Sequence, residues 1–409
     1  MKYPLPSLLL VGTALLANPA RAATMILHNF VGGDGAHPYG SLTLSGSKLY
    51  GMTNDGALAT DGLGTLFAMN TDGTGYTVLH SFAGAPSDGR NPYGAVTIAG
   101  SKLYGMTNTG GTTGSGTIFA MNTDGSGYSL LRSFNSPGPT SPAGSLVLSG
   151  SKLYGMTDSG GTANSGTIFS MNTDGTGFRR LHIFIGGATD GMFPDGDLTL
   201  VGSKLYGMTP FGGSSDGGVI FSLNIDGTGY TALHTFTGGA SGFHGFGSLT
   251  VFGAALYGMT AGGGSSNGGA LFRFGTDGTG FSLLHSFTGG TTDGSSPSGS
   301  LALSGSVLYG MTNNGGAYGN GTLFNVNTDG TGYGILEDFR GFPTDGAFPL
   351  FSSPTVAEDG STIYGMTRFG GTSNSGVVFS RAVVPEPGTI ALLSLGGLLL
   401  SARRRNARA

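Results

Sequence analysis

The pentapeptide Leu-Tyr-Gly-Met-Thr, once with Ile in first position, occurs seven times between residues 49 and 367. Its tyrosines are Tyr50, Tyr104, Tyr154, Tyr206, Tyr257, Tyr309 and Tyr364, so successive copies are 50–55 residues apart. Repetition at a fixed period of this order is the signature of chains built from one supersecondary unit, each burying its apolar face against its neighbours. The repeat therefore constrains the fold of the chain more than any other feature.

Each repeat has the pattern of four short strands, a to d. In the first repeat, alternating apolar residues and β-branched or aromatic residues predict strands at 41–44, 48–53, 64–69 and 76–82. A Ser-Gly-Ser turn separates the first two strands, and an Asn-Thr-Asp-Gly-Thr-Gly turn separates the last two. Four antiparallel strands repeated seven times predict an all-β fold, a seven-bladed β-propeller. An open solenoid is the alternative, but solenoids need distinct caps.

The two ends of the array predict that the ring is closed. Residues 24–30 match a fourth strand although no first three strands precede them, and the seventh repeat lacks its fourth strand. We expect this N-terminal strand to complete the last blade, which leaves no open sheet edge. The predicted propeller domain spans residues 23–384.

Composition excludes several classes of protein. The chain has no cysteine, which rules out disulfides, thiolate zinc sites, Fe–S clusters and a cysteine nucleophile. Residues 23–384 contain 12 basic and 21 acidic side chains, a net charge of −9. Such an acidic body argues against nucleic acid as a partner, because binding its phosphates requires Lys and Arg.

The N-terminal 22 residues have the pattern of a secretory signal peptide. Lys2 provides the positive start, residues 8–16 are mostly apolar, and Ala20-Arg21-Ala22 is a small-x-small cleavage site. We therefore expect export, with cleavage after Ala22.

The C-terminal segment, residues 385–409, has the pattern of a sorting tail. Residues 389–400 are mostly apolar and would form about 18 Å of helix, short of a bilayer core of about 30 Å. Arginines beyond them would keep that end cytoplasmic, so we expect a short transmembrane helix with transient inner-membrane contact. An ordinary C-terminal membrane anchor is the alternative. The predicted sorting residues are Pro385, Glu386, Pro387, Arg403, Arg404 and Arg405.

These motifs resemble two known families. The Pro-Glu-Pro triplet, apolar segment and arginine cluster look like the PEP-CTERM sorting signal of Gram-negative bacteria. That resemblance implies an exosortase-type enzyme as partner, location in the cell envelope or extracellular matrix, and association with exopolysaccharide. The Leu-Tyr-Gly-Met-Thr, Gly-Thr-Ile-Phe-x-Met-Asn-Thr-Asp-Gly-Thr-Gly and Leu-His-Ser-Phe segments resemble the Gloeobacter/Verrucomicrobia tandem repeat, which implies no particular activity.

Candidate binding residues lie in the loops between strands d and a and between strands b and c, which a propeller places on one face, here called the upper face. These loops differ between repeats, and variable loops on a rigid scaffold commonly carry binding sites. Their aromatic side chains would stack on sugar rings, or would simply pack between blades. The candidates are Tyr39, Tyr93 and Phe243, with His37 and His244, the two histidines outside the repeat.

The remaining polar patterns predict structure rather than chemistry. Asp72 and its equivalents lie in tight c–d turns, where Asp-Gly is needed for the turn, and a second series that includes Asp88 lies in the d–a loops. We predict turn roles for both, with an acidic rim on the upper face as the alternative for the second series. His80 and its equivalents occupy one position of strand d, which we interpret as structural. We predict no metal, no cofactor and no catalytic residue.

The sequence therefore favours an exported, non-enzymatic scaffold or glycan-contacting propeller, with extracellular polysaccharide as a partner. The alternative is a polysaccharide lyase or hydrolase using carboxylates on the upper face, which would need two carboxyl groups about 5–10 Å apart. Two close, shielded carboxylates near the axis would favour the enzyme, and a featureless axis would oppose it. An inert surface coat is a third possibility.

Overall fold

The computed structural model describes residues 23–56 and 62–383, which form seven four-stranded antiparallel sheets. First strands of neighbouring sheets contact each other around a central axis. The predicted seven-bladed β-propeller is confirmed. Within the described residues the helical structure is one 3-10 turn, Gly239–Ser241, and no helix is long and apolar enough to cross a membrane. The tail predicted to contain a transmembrane helix and the predicted signal peptide lie outside these residues.

Blades 1 to 6 follow one another in the chain, and in each the strands run a, b, c, d from the axis outward. The strands a, b, c and d are Thr43–Ser45, Lys48–Thr53, Thr65–Asn70 and Thr77–Ser81 in blade 1, and Thr97–Ala99, Lys102–Thr107, Thr117–Asn122 and Ser129–Ser133 in blade 2. In the same order they are Pro139–Ser149, Lys152–Gly160, Thr167–Asn172 and Arg179–Ile183 in blade 3, and Thr199–Val201, Lys204–Thr209, Val219–Asn224 and Thr231–Thr235 in blade 4. They are Thr250–Phe252, Ala255–Thr260, Ala270–Gly275 and Ser282–Ser286 in blade 5, and Ala302–Ser304, Val307–Thr312, Thr322–Asn327 and Gly334–Asp338 in blade 6.

Blade 7 contains both ends of the described chain, as predicted. Its strands a, b and c are Thr355–Val356, Thr362–Thr367 and Val377–Ala382, and its strand d is the N-terminal Thr24–Asn29. Thr24 lies opposite Arg381, with a register shift between Ile26 and His28. The ring is thus closed by hydrogen bonds between its first and last strands.

Apolar side chains between neighbouring blades form the core, and the contact between two blades is called a seam. In seam 1/2, Phe82 and Phe119 lie edge to face with centroids 5.4 Å apart, and Tyr128 of blade 2 packs 5.5 Å from Phe119. The glycine of each repeated pentapeptide makes room for the strand-c phenylalanine, since a Cβ on Gly51 would meet the Phe67 ring at 2.5 Å. Close packing across the sheet therefore explains why this glycine recurs in every blade.

At the axis, a belt of hydrogen bonds links the starts of the first strands. The amide of Ser248 donates to Ser300 Oγ (2.7 Å), Ser300 to Ser353 Oγ (2.7 Å), and Ser353 to Ser41 Oγ (2.9 Å). The last of these bonds joins blade 7 to blade 1. Just before the belt, Gly40 packs against the backbone of Gly94, leaving no room for a side chain. The seven blades therefore meet tightly at the axis.

The a–b and c–d turns lie on the lower face, opposite the d–a and b–c loops. In the first c–d turn, Asp72 accepts hydrogen bonds from the Thr74 amide (2.9 Å) and hydroxyl (2.6 Å), which confirms its turn role. Strand c of blade 7 ends, and strand d begins, on this lower face. The chain thus enters and leaves the propeller on the face opposite the variable loops.

On the upper face, four two-stranded ribbons join a d–a loop to the next b–c loop and so hold the loops in place. They pair Gly89–Arg90 with Thr109–Gly110, Gly191–Met192 with Phe211–Gly212, Gly294–Ser295 with Asn314–Gly315, and Gly346–Ala347 with Phe369–Gly370.

Candidate ligand-binding site on the upper face

One residue from each blade surrounds the axis on the upper face, immediately before the packed glycine position. These seven residues, here called the axial ring, are Tyr39, Tyr93, Ala143, Asp195, Phe246, Ser298 and Phe351. They line a cavity of about 90 Å³. This volume holds several water molecules but is far below the roughly 300–1,000 Å³ of small-molecule pockets. A large ligand would therefore lie across the ring rather than inside it.

Four of the seven residues are aromatic and form a continuous surface. Tyr39 stacks on Tyr93 (centroids 4.6 Å apart) and on Phe351 (4.8 Å), and Phe246 meets Phe351 edge to face at 5.6 Å. All four are partly exposed. Because the stacked rings of Tyr93, Tyr39 and Phe351 cover part of one another's faces, the arc provides a continuous apolar surface rather than four separate ring faces.

Asp195 is the one carboxyl group of the axial ring, and the carboxyl groups of Asp158 and Asp197 lie near it. Burial, with a further contribution from the charge of Asp158, raises the pKa of Asp195 to about 7. Burial also raises the pKa of Asp158, which accepts a hydrogen bond from the Ser159 hydroxyl (2.7 Å). Asp197 stands at a belt position that is serine in most blades, and burial raises its pKa as well. Asp195 is therefore half protonated near neutral pH.

A cation lies beside the aromatic arc. The Arg368 guanidinium is 4.9 Å from the centre of the Tyr39 ring and 5.3 Å from that of Phe369. Its Nε is buried and has no hydrogen-bond partner among the described residues. Burial raises the pKa of Tyr39 to about 12, although Arg368 opposes this rise. Aromatic rings, carboxyl groups and one arginine thus lie together around the axis on the upper face.

The backbone two residues before the axial ring is left-handed in most blades although no glycine stands there. φ is 52° at His37, 51° at Asn91, 57° at Phe193 and 60° at His244. This conformation costs non-glycine residues about 1–3 kcal/mol and persists only where the surroundings enforce it. Here the preceding b–c loop does so, as when the His244 amide donates to the Gly217 carbonyl (2.9 Å). The upper face is therefore rigidly preorganised.

The five predicted binding residues do not lie together in the structure. Tyr39 and Tyr93 lie together in the axial ring. His37 is farther out and contacts Asp55 Oδ2 through Nδ1 (3.1 Å). His244 packs 4.7 Å from Phe243, whose ring lies against Gly262. Phe243 therefore anchors its loop, and the two histidines lie outside the axial cavity lining.

The sequence interpretation missed Asp195, Asp158 and Arg368. A signal was present in the repeat itself. Asp195 occupies the axial-ring position, and Asp158 and Arg368 directly follow the repeated pentapeptide in their blades. Comparing the seven copies position by position would have singled out these charged substitutions.

The strand-d histidines have the structural role that was predicted. His80 stacks on Tyr128 at 3.7 Å and contacts Asp88 through Nε2 (2.9 Å), and Tyr128 donates its hydroxyl to the same carboxylate. Burial raises the pKa of Asp88, but hydrogen bonds from His80 and Tyr128 outweigh it, so the pKa lies below its ordinary value. Asp88 is only 6% exposed. It therefore belongs to a seam between blades and does not form an acidic rim on the upper face.

Among the described residues, no group of three or more His, Cys, Asp or Glu side chains could hold a metal ion.

The Gloeobacter/Verrucomicrobia repeat matches residues 11–201, 123–303 and 201–393. The chain belongs to this repeat family. In this repeat protein the PEP-CTERM protein-sorting motif matches residues 383–405, which implies exosortase-type processing and export to the envelope of a Gram-negative bacterium. The predicted sorting residues and Ala22 lie outside the described residues. A search of curated proteins finds no match.

Several solved propellers resemble the repeat protein in fold. An oligogalacturonate lyase in complex with manganese is 15% identical, with a TM-score of 0.56 over 89% of this chain and 94% of the lyase. An oligogalacturonate lyase from Vibrio parahaemolyticus is 12% identical, with a TM-score of 0.56 over 90% and 95%. A 6-phosphogluconolactonase homologue from Bacteroides uniformis is 18% identical, with a TM-score of 0.55 over 81% and 92%. These likenesses show the fold alone.

Proposed function

We propose that this exported propeller is a non-enzymatic, glycan-contacting protein that binds extracellular polysaccharide across its axial ring. The observation that carries the proposal is the aromatic arc of Tyr93, Tyr39, Phe351 and Phe246 at the centre of an otherwise uniform sevenfold scaffold. An apolar surface that spans several blades suits a polymer better than the small axial cavity suits a free monosaccharide.

The polar groups beside the arc would orient the sugars. The Arg368 guanidinium lies next to Tyr39, and Asp195 and Asp158 offer acceptors for hydroxyl groups. His37 and His244 would contact a long polymer farther from the axis. A few placed polar groups beside apolar rings are the usual basis of ligand orientation.

The position of the chain ends supports display of this face. Both ends of the described chain leave the propeller at its lower face. A tail of residues 385–409 held at the membrane would therefore turn the upper face outward. Cleavage after Ala22 would leave strand d of blade 7 as the start of the mature chain.

Binding of residues 23–384 to the producing cell's extracellular polysaccharide tests the proposal. We expect saturable binding that weakens about tenfold in Tyr93→Ala, since loss of one stacking ring costs on the order of 1.4 kcal/mol. The control is Phe252→Ala, which removes a 42% exposed ring at the lower end of a strand a. Equal binding by both variants, or no binding by the native protein, would contradict the proposal.

The Asp195–Asp158 pair supports the enzyme as a second candidate. An acid with a pKa near 7 beside another carboxyl group suits general acid catalysis of polysaccharide hydrolysis. New reducing ends in the same binding mixture, lost in Asp195→Asn, would favour the hydrolase. An unchanged polymer length would leave Asp195 as a binding residue.

A further inference from the structure

One position of strand d carries a side chain that can be charged in every blade, and it faces the seam to the next blade. The residues at this position are His28, His80, Arg132, His182, His234, His285 and Glu337. Four of the histidines contact an aspartate of the following loop at 2.9–3.1 Å, and Glu337 is paired with Arg381. The fifth, His234, has no hydrogen-bond partner for Nε2 among the described residues, but burial lowers its pKa, so it is neutral at neutral pH.

Arg132 is the charged residue at this position that lacks an acidic partner among the described residues. The loop of seam 2/3 has Gly138 where seam 1/2 has Asp88, since each directly precedes the residue that pairs with a glycine of the next b–c loop. Burial lowers the pKa of Arg132, and no carboxylate opposes that effect. Because an arginine keeps its proton in a protein, seam 2/3 holds a half-buried charge without a counter-charge.

Two aromatic rings hold the Arg132 guanidinium in place. Its central carbon is 3.5 Å from the centre of the Phe178 ring and 5.7 Å from that of Phe134. Of its three nitrogens only Nε is enclosed without a hydrogen bond, and the described residues accept none from the two Nη atoms, which therefore face solvent. The planar fork that binds a carboxylate through two parallel hydrogen bonds is thus positioned and accessible at its Nη edge.

A second arginine faces the same seam from blade 3. Arg180 has the same register in its sheet as Leu130 has in blade 2, and Leu130 packs into the seam with the preceding blade. Arg180 is exposed, and it follows Phe178, the ring under the Arg132 guanidinium, by two residues, about 7 Å along the strand. Seam 2/3 therefore presents two arginines on its outer rim, one from each blade.

This rim is unusual in an acidic protein. Residues 23–384 have a net charge of −9 and only 12 basic side chains, and three of these, Arg132, Arg179 and Arg180, lie on two neighbouring outer strands. Arg179 faces blade 4, where its charge acts on Asp226. A polyanion is repelled by most of the body but attracted at this rim.

The surroundings favour a hydrophilic polyanion over a protein surface. The large apolar side chains that are exposed in the described structure all lie outside strands d of blades 2 and 3. A protein interface needs a fully buried apolar core, which these strands do not offer. A polysaccharide that carries carboxylates needs only charge and hydrogen-bond donors.

We propose that the outer rim of seam 2/3 is a binding site for the carboxylate groups of an acidic polysaccharide, one that contains uronate units. Arg132 binds one carboxylate through its two Nη atoms, and Arg180 binds the carboxylate of a neighbouring unit. The choice of a glycan rests on the proposed function, whereas the site itself is separate from the axial ring.

Isothermal titration calorimetry of residues 23–384 with two matched probes tests the site. The probes are a tetramer of β-1,4-linked glucuronate and cellotetraose, in which a hydroxymethyl group replaces each carboxyl group. We expect the glucuronate tetramer to bind about tenfold tighter at low salt, because hydrogen bonds between charged groups are the stronger ones. This preference should nearly vanish at about 1 M salt, where screening acts over about 3 Å. Equal affinities of the two tetramers at low salt would overturn the proposal.

Substitutions at Arg132 separate charge from shape. Arg132→His installs the residue found in five blades and should remove most of the preference at pH 8, where histidine is neutral. Arg132→Lys should keep part of it, because an ammonium group lacks the planar fork. Arg180→Gln should also reduce it. The control is Arg273→Gln, which removes an exposed arginine from strand c of blade 5. Equal losses in Arg132→His and Arg273→Gln would refute the assignment.

Two further measurements separate this site from the axial ring and from a protein partner. Tyr93→Ala should weaken binding of the extracellular polysaccharide but preserve the preference between the tetramers, so either proposal can fail alone. A peptide of four glutamates should compete only weakly with the glucuronate tetramer. Tighter, Arg132-dependent binding of the peptide would identify an acidic protein segment as the ligand and overturn the glycan assignment.

Discussion

Asp195 is the residue whose chemistry depends most on its position in the ring. The same repeat position is tyrosine, phenylalanine, alanine or serine in the other blades. Packing of seven blades around the axis removes water from its carboxyl group, and the nearby Asp158 further disfavours its charge. Its pKa of about 7 lies well above the value of about 3.9 for an unfolded chain. The folded protein therefore retains a proton that the unfolded chain loses.

This difference predicts a pH dependence of stability. The stabilisation that the Asp195 proton gives the folded state is fully present below about pH 4. It is lost as the pH rises through about 7. Asp195→Asn should therefore be more stable than the native protein at pH 8, on the order of 2 kcal/mol because the carboxyl group is still partly exposed to solvent screening, and nearly equal at pH 4. Urea unfolding at both pH values measures this, with exposed Glu358→Gln as control. The same offset at both pH values would contradict the assigned pKa.

At the scale of the element, the seam is the unit that joins one blade to the next. His285 stacks on Tyr333 at 3.7 Å, and both side chains contact Asp293. Burial raises the pKa of Asp293, but the hydrogen bonds from His285 and Tyr333 outweigh it and hold the pKa at about 2. A buried carboxylate of this kind stabilises the seam only while its donors are present.

Tyr333→Phe should therefore destabilise the propeller by about 1–3 kcal/mol, because it removes one donor from the buried carboxylate and leaves the ring in place. Thermal or urea unfolding measures the loss. Tyr318→Phe is the matched control, since Tyr318 is 53% exposed and a surface change of this kind is expected within about 0.5 kcal/mol. Equal effects of the two variants would show that the phenol of Tyr333 does not stabilise the seam.

At the scale of the whole molecule, stability depends on closing the ring between two strands that are distant in sequence. Strand d of blade 7 begins at Thr24, and its partner strand ends at Ala382. Without that pairing, the ring would have an open edge in blade 7, where unpaired backbone groups favour aggregation. The pairing of these two strands therefore closes the propeller.

A covalent link across this closure should stabilise the fold. Met25 lies opposite Ser380, and the chain has no other cysteine to compete with an introduced pair. Met25→Cys with Ser380→Cys should raise the free energy of unfolding by up to about 5 kcal/mol when oxidised, because the link closes a very long loop. The reduced form of the same protein is the control. An oxidised form that unfolds at the same denaturant concentration would argue against closure by this strand pair.

The sequence by itself determined the blades, their number and the closing strand, because turn residues, strand alternation and the repeat are local patterns that each blade satisfies in the same way. It also placed Tyr39 and Tyr93 among the candidates. Only the tertiary structure assembled the site, since Asp158, Asp195 and Arg368 meet through the convergence of different blades on one axis. Likewise, Thr24 and Glu337 are 313 residues apart and become neighbours only when the ring closes. Contacts between distant segments depend on how the repeats pack, which no single repeat specifies.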